Sequence, residues 1–324
     1  MPLLINFGLI ALGLVLAIVG ANYMVDGSSS IAKRLKVSDL VIGLTIVSFG
    51  TSAPELIVSS ISTYQGNPDI AIGNVVGSNI VNVFVILGVS AMIYPITIQS
   101  NTVWKEIPLS LLAALVLLVT VNDFYFDGKT VSSLNRIDGF IHLAFFIIFL
   151  YYSFYAAKAG DSGGATADEI PHMPLAKALL FVIGGIAGLF FGGKILVDGA
   201  VAVAKAFEVD DSIIALTILG IGTSIPELAT SAVAAAKKNS DIAVGNVVGS
   251  NIFNIFFILG VSATIAPLPF NTIMNIDLFM VVLASVMMLI FTFIGSNRKI
   301  TRWEGLVLVL VYVAYILYLL NNRV

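Results

Sequence analysis

The segment Gly50–Leu56, GTSAPEL, followed by Gly73–Ala91, GNVVGSNIVNVFVILGVSA, decides how this 324-residue chain is read. Both stretches return 172 residues later, as GTSIPEL at Gly222–Leu228 and GNVVGSNIFNIFFILGVSA at Gly245–Ala263. Of the 19 positions in the longer stretch 16 are identical, and Asp26/Asp198, Asp39/Asp211 and Asp69/Asp241 keep the same offset. Apolar composition alone does not impose such a register, so the chain is a duplicated unit. Each copy sets one glutamate, Glu55 or Glu227, in the middle of an apolar run, and what one does the other is expected to do.

Composition identifies the solvent around these glutamates. Hydrophobic residues make up 58% of the chain and charged residues 11%, against roughly 45 to 50% and about 25% in soluble proteins. The chain reads as an all-α integral membrane protein, because its long, nearly continuous apolar runs lack the short alternating pattern of a β-barrel. Runs long enough to cross a bilayer fall near 3–25, 38–63, 70–97, 106–122, 138–157, 175–204, 212–236, 242–267, 275–294 and 303–320, where about 20 apolar residues suffice. That predicts ten helices, five per copy. No basic region precedes the first run, which therefore reads as a retained span and not a cleaved signal. With no cysteine in the chain, disulfides, thiolate metal sites and thiol redox chemistry are excluded.

Five spans per copy bring the second copy into the membrane from the opposite face, so the repeats are expected to be inverted. Following that flip, eleven Lys and Arg collect on one face and four on the other, with Lys194 alone inside a predicted span. Positive charge gathers on the cytoplasmic side. Both termini are then expected outside the cell membrane. The chain divides into a first repeat, 1–158, with the repeated core at 38–97, a cytoplasmic linker, 159–173, and a second repeat, 174–324, with its core at 210–268. The linker is short, Gly-rich and mildly acidic, which suits a flexible tether.

An ionisable residue at the centre of a membrane helix costs about 2.5 to 3.5 kcal/mol on insertion scales and marks an ion or substrate path. Two glutamates with no matching cation in either cassette call for a bound cation. Pro54 and Pro226 precede them, and proline breaks a helix by lacking an N–H and by crowding the carbonyl four residues back. Gly50 and Gly222 loosen the same turn. Carbonyls at Ser48, Thr51, Gly220 and Thr223 are expected to be freed there, as in the broken helices that form ion sites in transporters with inverted repeats. Hydroxyls of Thr51, Ser52, Ser78, Thr223, Ser224 and Ser250, with amides of Asn74, Asn82, Asn246 and Asn254, complete a set of hard oxygen ligands. Calcium takes such ligands, whereas zinc and copper favour thiolate or imidazole. The two histidines, His142 and His172, lie outside both cassettes.

GTSxPE followed by GNxxGSNxxN, present twice in opposed halves, resembles the α-repeats of the cation/calcium exchanger superfamily, in particular its prokaryotic sodium/calcium antiporters. The resemblance spans essentially the whole chain. It implies an antiport of Na+ against Ca2+ by alternating access, with both ions as transported substrates and no resident cofactor. Carried over residue by residue, Glu55 and Glu227 would chelate calcium with the carbonyls of Thr51 and Thr223. Ser52, Ser78, Ser224 and Ser250, with the carbonyls of Ser48 and Gly220, would complete flanking sodium sites, and Asn82 and Asn254 would sit between them. Some members carry aspartate where Asn254 stands, and potassium-dependent relatives use an acid there. With asparagine in both copies, two carboxylates balance one calcium or two sodium ions. The family generally moves more sodium than that, so an electrogenic cycle is expected.

Two other readings stay open. A proton-driven calcium antiporter of the same superfamily typically shows GNxxE where this chain has GTSxPE. A cation channel also uses rings of acids, but usually assembles them from several subunits, whereas one chain supplies both halves here and points to a functional monomer in lipid. Enzymatic function has no supporting motif, and a net charge of −3 argues against nucleic acid. Gly8, Gly13, Gly20, Gly184, Gly185, Gly188, Gly192 and Gly193 give the first and sixth spans smooth faces suited to sliding.

Overall fold

The computed structural model describes residues 3–100, 102–126, 128, 130–158, 173–208, 220–294 and 298–323. Its main helices are α1 (Leu3–Leu35), α2 (Asp39–Thr51), α3 (Ala53–Tyr64), α4 (Pro68–Ile93), α5 (Thr102–Thr120), α6 (Arg136–Lys158), α7 (Leu175–Ala206), α8 (Ile225–Ala236), α9 (Ser240–Ile265), α10 (Thr272–Ile294) and α11 (Arg302–Arg323). Eight of these are long and apolar enough to cross a membrane, and nine spans result when the bent pair α2 and α3 counts as one. The seventh predicted span, 212–236, is represented among the described residues by α8 and the turn Gly220–Gly222. The linker 159–173, apart from Met173, lies outside the described residues.

Two short antiparallel ladders join the copies, a feature the all-α reading did not foresee. Ile96–Thr97 (β1) pairs with Lys299–Ile300 (β4), and Ser132–Leu134 (β2) with Leu268–Phe270 (β3). Each ladder pairs one copy with the other outside the helical spans.

The longer stretch of each cassette lies in α4 or α9, which form the centre. In their most apolar windows 72% and 94% of residues are buried, against 22% in α1 and 17% in α11. The outer helices therefore carry apolar side chains on their exposed faces, as at Leu4, Phe140, Phe279 and Leu310. This inverts the soluble pattern, and lipid is the solvent that accommodates it.

Helices α1 and α7 pack backbone to backbone. A Cβ on Gly13 would come within 2.6 Å of the Gly192 carbonyl, one on Gly20 within 2.8 Å of the Gly185 carbonyl, and one on Gly27 within 2.8 Å of the Ala178 carbonyl. Partner numbers fall along α7 as they rise along α1, so these repeat mates run antiparallel. The glycine stripe read from the sequence is thus the contact face, except that Gly8 and Gly184 would meet nothing within 4 Å and Gly193 faces Ile225 and Pro226 of α8. Small residues permit such close approach in membranes.

Gly20→Ala is expected to force the helices apart, since its new methyl would lie 2.7 Å from the Leu189 amide nitrogen. Overpacking of this kind costs about 1 to 3 kcal/mol. Thermal unfolding in detergent should show a lowered midpoint for Gly20→Ala and an unchanged one for Gly8→Ala; equal midpoints would contradict the packing.

Candidate ion-binding site

The turn before each glutamate is built by its own sequence. Proline is tolerated in the first turn of a helix, where its missing N–H has no partner to lose, so α3 restarts at Ala53–Pro54 and α8 at Ile225–Pro226. Ser52 (φ −84°, ψ 9°) and Ser224 (φ −86°, ψ 6°) leave helical geometry just before. The axes of α2 and α3 consequently differ by 47°. Glu55 and Glu227 stand in the first turn of the restarted helices, at the end whose partial positive charge favours an anion.

The expectation of freed carbonyls needs correction in the first copy. The Ser52 N–H donates to the Ser48 carbonyl at 3.0 Å, and the Thr51 hydroxyl reaches the same oxygen at 3.3 Å. Proline at 54 removes a donor four residues on from Gly50, so its loss falls on Gly50 and not on Ser48. In the second copy the Ser224 N–H turns instead to the Ile221 carbonyl at 2.9 Å, leaving the Gly220 carbonyl outside that bond.

Hydrogen bonds then cross between the copies in reciprocal pairs. The Thr51 hydroxyl donates to Asn246 Oδ1 at 3.0 Å, and the Thr223 hydroxyl to Asn74 Oδ1 at 3.2 Å. Asn246 Nδ2 donates to the Glu227 carbonyl at 3.2 Å and Ser231 Oγ at 2.9 Å; Asn74 Nδ2 does the same to the Glu55 carbonyl at 3.3 Å and Ser59 Oγ at 3.0 Å. These asparagines, which the sequence offers either as ion ligands or as caps of the broken helix ends, use both Oδ1 and Nδ2 to brace the glutamate-bearing turns. Further along, Asn82 Nδ2 donates to Asn251 Oδ1 at 2.9 Å and Asn254 Nδ2 to Asn79 Oδ1 at 3.1 Å.

That bracing leaves a set of buried acceptors facing no donor. Glu55 Oε2, Glu227 Oε2, Asn82 Oδ1 and Asn254 Oδ1 have no hydrogen-bond partner among the described residues, and all four side chains are at most 1% exposed. Buried polar groups are ordinarily paired, and each one left unsatisfied costs about 1 to 3 kcal/mol. Four such oxygens, two of them carboxylate, are ligands of the kind a hard cation takes.

The remaining contacts are not symmetric. The Ser52 hydroxyl donates to Glu227 Oε1 at 2.8 Å and approaches Ser250 Oγ at 3.0 Å, tying the two copies together. Its repeat mate Ser224 is buried with no partner for Oγ, while the Ser78 hydroxyl meets Glu55 Oε1 only at 3.4 Å. Thr51 is buried, whereas Thr223 is half-buried and lines a cleft.

One feature escaped the sequence reading. Asn82 and Asn254 sit in π-helical turns, Asn82–Leu87 and Phe253–Leu259, that interrupt α4 and α9; such turns re-aim side chains and recur at functional sites. Gly245 and Gly249 let α9 lie against α2, where a Cβ on Gly249 would stand 2.7 Å from both the Leu44 carbonyl and Ser48 Oγ. Small residues in GNVVGSN suit such helix packing, which holds at Gly249 and not at Gly77, where a Cβ would meet nothing within 4 Å. Outside the site, buried His142 bonds the Ile255 carbonyl at 3.0 Å and Thr120 Oγ1 at 3.1 Å, a satisfied helix residue as its position suggested.

A multi-pass helical bundle with a polar, anionic centre defines a membrane transporter of cations, and comparison with known proteins gives its family. The model for the sodium/calcium exchanger protein family matches residues 5–155 and 177–321. The chain is 38% identical over 313 residues to a candidate antiporter, CaxA of Alkalimonas amylolytica, covering 94% of this chain and 96% of that one. It is 32% identical to the sodium/calcium exchanger MaX1 of Methanosarcina acetivorans, over 97% and 98% of the two chains. A solved structure of the sodium-calcium exchanger NCX_Mj, soaked with Na+ and Sr2+, superposes with a TM-score of 0.81 at 33% identity, over 97% of this chain and 98% of that one.

The chain belongs to the sodium/calcium exchanger family, within the cation/calcium exchanger superfamily. It is accordingly a multi-pass membrane protein of the cation/calcium-exchange class, a family of transporters and not of enzymes.

Proposed function

We propose that this protein exchanges Na+ for Ca2+ across the cell membrane by alternating access, with both ions competing for the site between the copies. The observation that carries the reading is the quartet of buried acceptor oxygens, Glu55 Oε2, Glu227 Oε2, Asn82 Oδ1 and Asn254 Oδ1, that no donor satisfies. Glu55 and Glu227 chelate calcium with the carbonyls of Thr51 and Thr223. Ser52, Ser78, Ser224 and Ser250, with the carbonyl of Gly220, serve flanking sodium positions. The naming of MaX1 and NCX_Mj as sodium/calcium exchangers supports the choice of ions.

The architecture behind this reading is ten membrane helices in two inverted five-helix repeats, 1–158 and 174–324, joined by 159–173. Support comes from the antiparallel run of the repeat mates α1 and α7 and from the reciprocal hydrogen bonds across the site. Inverted repeats with broken helices at their interface are a common transporter design. Because one chain supplies both halves, the monomer is the functional unit.

Two carboxylates also explain why exchange is obligatory. Buried charges without a partner cost several kcal/mol each, so the carrier changes face only when loaded. Two negative charges balance one Ca2+ or two Na+, and any further Na+ makes the cycle electrogenic. Calcium uptake into proteoliposomes should rise with an outward Na+ gradient, carry current, need no potassium and show no stimulation by a pH gradient without sodium. Uptake driven by the pH gradient alone would replace this reading with proton exchange.

Orientation follows the charge asymmetry, with both termini outside and the linker in the cytoplasm. A cysteine placed at Ser162 should react with an impermeant thiol reagent only from the cytoplasm, and one at Asn322 only from outside. Reaction of both from one face would refute the odd number of spans between them.

A further inference from the structure

A cleft of about 230 Å³ runs beside the site, and its lining mixes site residues with two charges. Thr223, Pro54 and Pro226 form its inner wall, the last two being the immediate neighbours of Glu55 and Glu227. Lys194 and Asp198 of α7 line it as well, paired across one helical turn at 3.1 Å, with side chains 63% and 61% exposed. The volume holds several waters at about 30 Å³ each, so a partly hydrated cation fits.

The other copy is built differently at the matching positions. Asn22 stands where Lys194 has its ammonium and bonds its own helix at the Ile18 carbonyl, 2.9 Å away. Asp26, the mate of Asp198, is engaged by Lys237 at 2.6 Å, a residue just beyond α8. The cation on the cleft wall therefore belongs to the second copy alone, and the aspartate one turn away offsets it.

We propose that the Lys194–Asp198 pair is a charge filter on the path by which cations reach the site, with Asp198 neutralising an ammonium that would otherwise repel them. This rests on the exchange reading given above and adds a determinant of ion preference outside the site. A fixed charge at an approach path acts on a passing ion in proportion to that ion's charge. The free-energy effect on Ca2+ is then twice that on Na+, and the fold-change for calcium is the square of the fold-change for sodium.

Asp198→Asn leaves Lys194 unopposed. At low ionic strength the apparent KM should rise about threefold for Na+ and about tenfold for Ca2+, as for a unit charge screened by water at close range. The rate at saturating ion should stay that of the parent. Lys194→Gln should lower both values in the same ratio, and the exchanged pair Lys194→Asp/Asp198→Lys should restore them. Both shifts should fade in about 1 M impermeant salt, where screening reaches about 3 Å.

The measurement is initial-rate calcium-45 uptake and sodium-dependent release in vesicles of one orientation, across both ion concentrations. Equal fold-changes for the two ions, unaltered KM values, or a fallen saturating rate would overturn the filter while leaving exchange intact. A parent protein with no sodium-dependent calcium flux would overturn the exchange reading, and the filter with it.

Discussion

Glu55→Gln and Glu227→Gln should each abolish sodium-dependent calcium flux in correctly inserted protein. The amide keeps the shape of the side chain and removes one of two charges in a buried site where both glutamates are at most 1% exposed. Leaving a buried charge without its partner costs about 3 to 5 kcal/mol, which is about two to three and a half powers of ten in affinity. The two variants should also bind Ca2+ weakly by calorimetry while unfolding near the parent temperature, because neither Oε2 holds a hydrogen bond within the protein that the substitution would break. A variant that transports near the parent rate would remove the shared site from consideration.

Asn246→Ala is expected to lose nearly as much by another route. Its side chain reaches the Glu227 carbonyl, Ser231 Oγ and the Thr51 hydroxyl, all within 3.2 Å, so both its Nδ2 and its Oδ1 are engaged within the protein. Alanine takes a partner from three buried groups, of which the Thr51 hydroxyl keeps the Val47 and Ser48 carbonyls, at about 1 to 3 kcal/mol for each one left unpaired. The turn carrying Glu227 then loses its brace, so flux should fall at least about tenfold together with a lower unfolding temperature. Glu227→Gln impairs binding without that loss of stability. If Asn246→Ala weakened calcium binding while unfolding like the parent, the asparagine would be a ligand and the brace would be wrong.

The sequence by itself determined the membrane setting, the duplication and the identity of the two glutamates. Each follows from local chemistry: lipid requires long apolar runs, a 172-residue register survives in the letters of the chain, and an acid beside a proline in such a run is costly unless it serves a purpose. The glycine stripes of the first and sixth spans were legible for the same reason, because a missing Cβ is a property of the residue. Which glycines meet a neighbour was not, and Gly8 and Gly184 face away from the contact.

Tertiary structure alone decided how the polar residues divide their work. Asn74, Asn82, Asn246 and Asn254 are the same residue type in one motif, yet two brace the glutamate turns and two leave an oxygen free, a difference set by π-helical turns and by partners 149 to 195 positions away. Ser52 and Ser224 likewise occupy matching positions, and only Ser52 bridges to Glu227 and Ser250. Hydrogen-bond geometry is directional over a few tenths of an ångström. A pattern of letters fixes which groups can donate or accept, whereas the packing of one copy against the other fixes which of them remain for the ion.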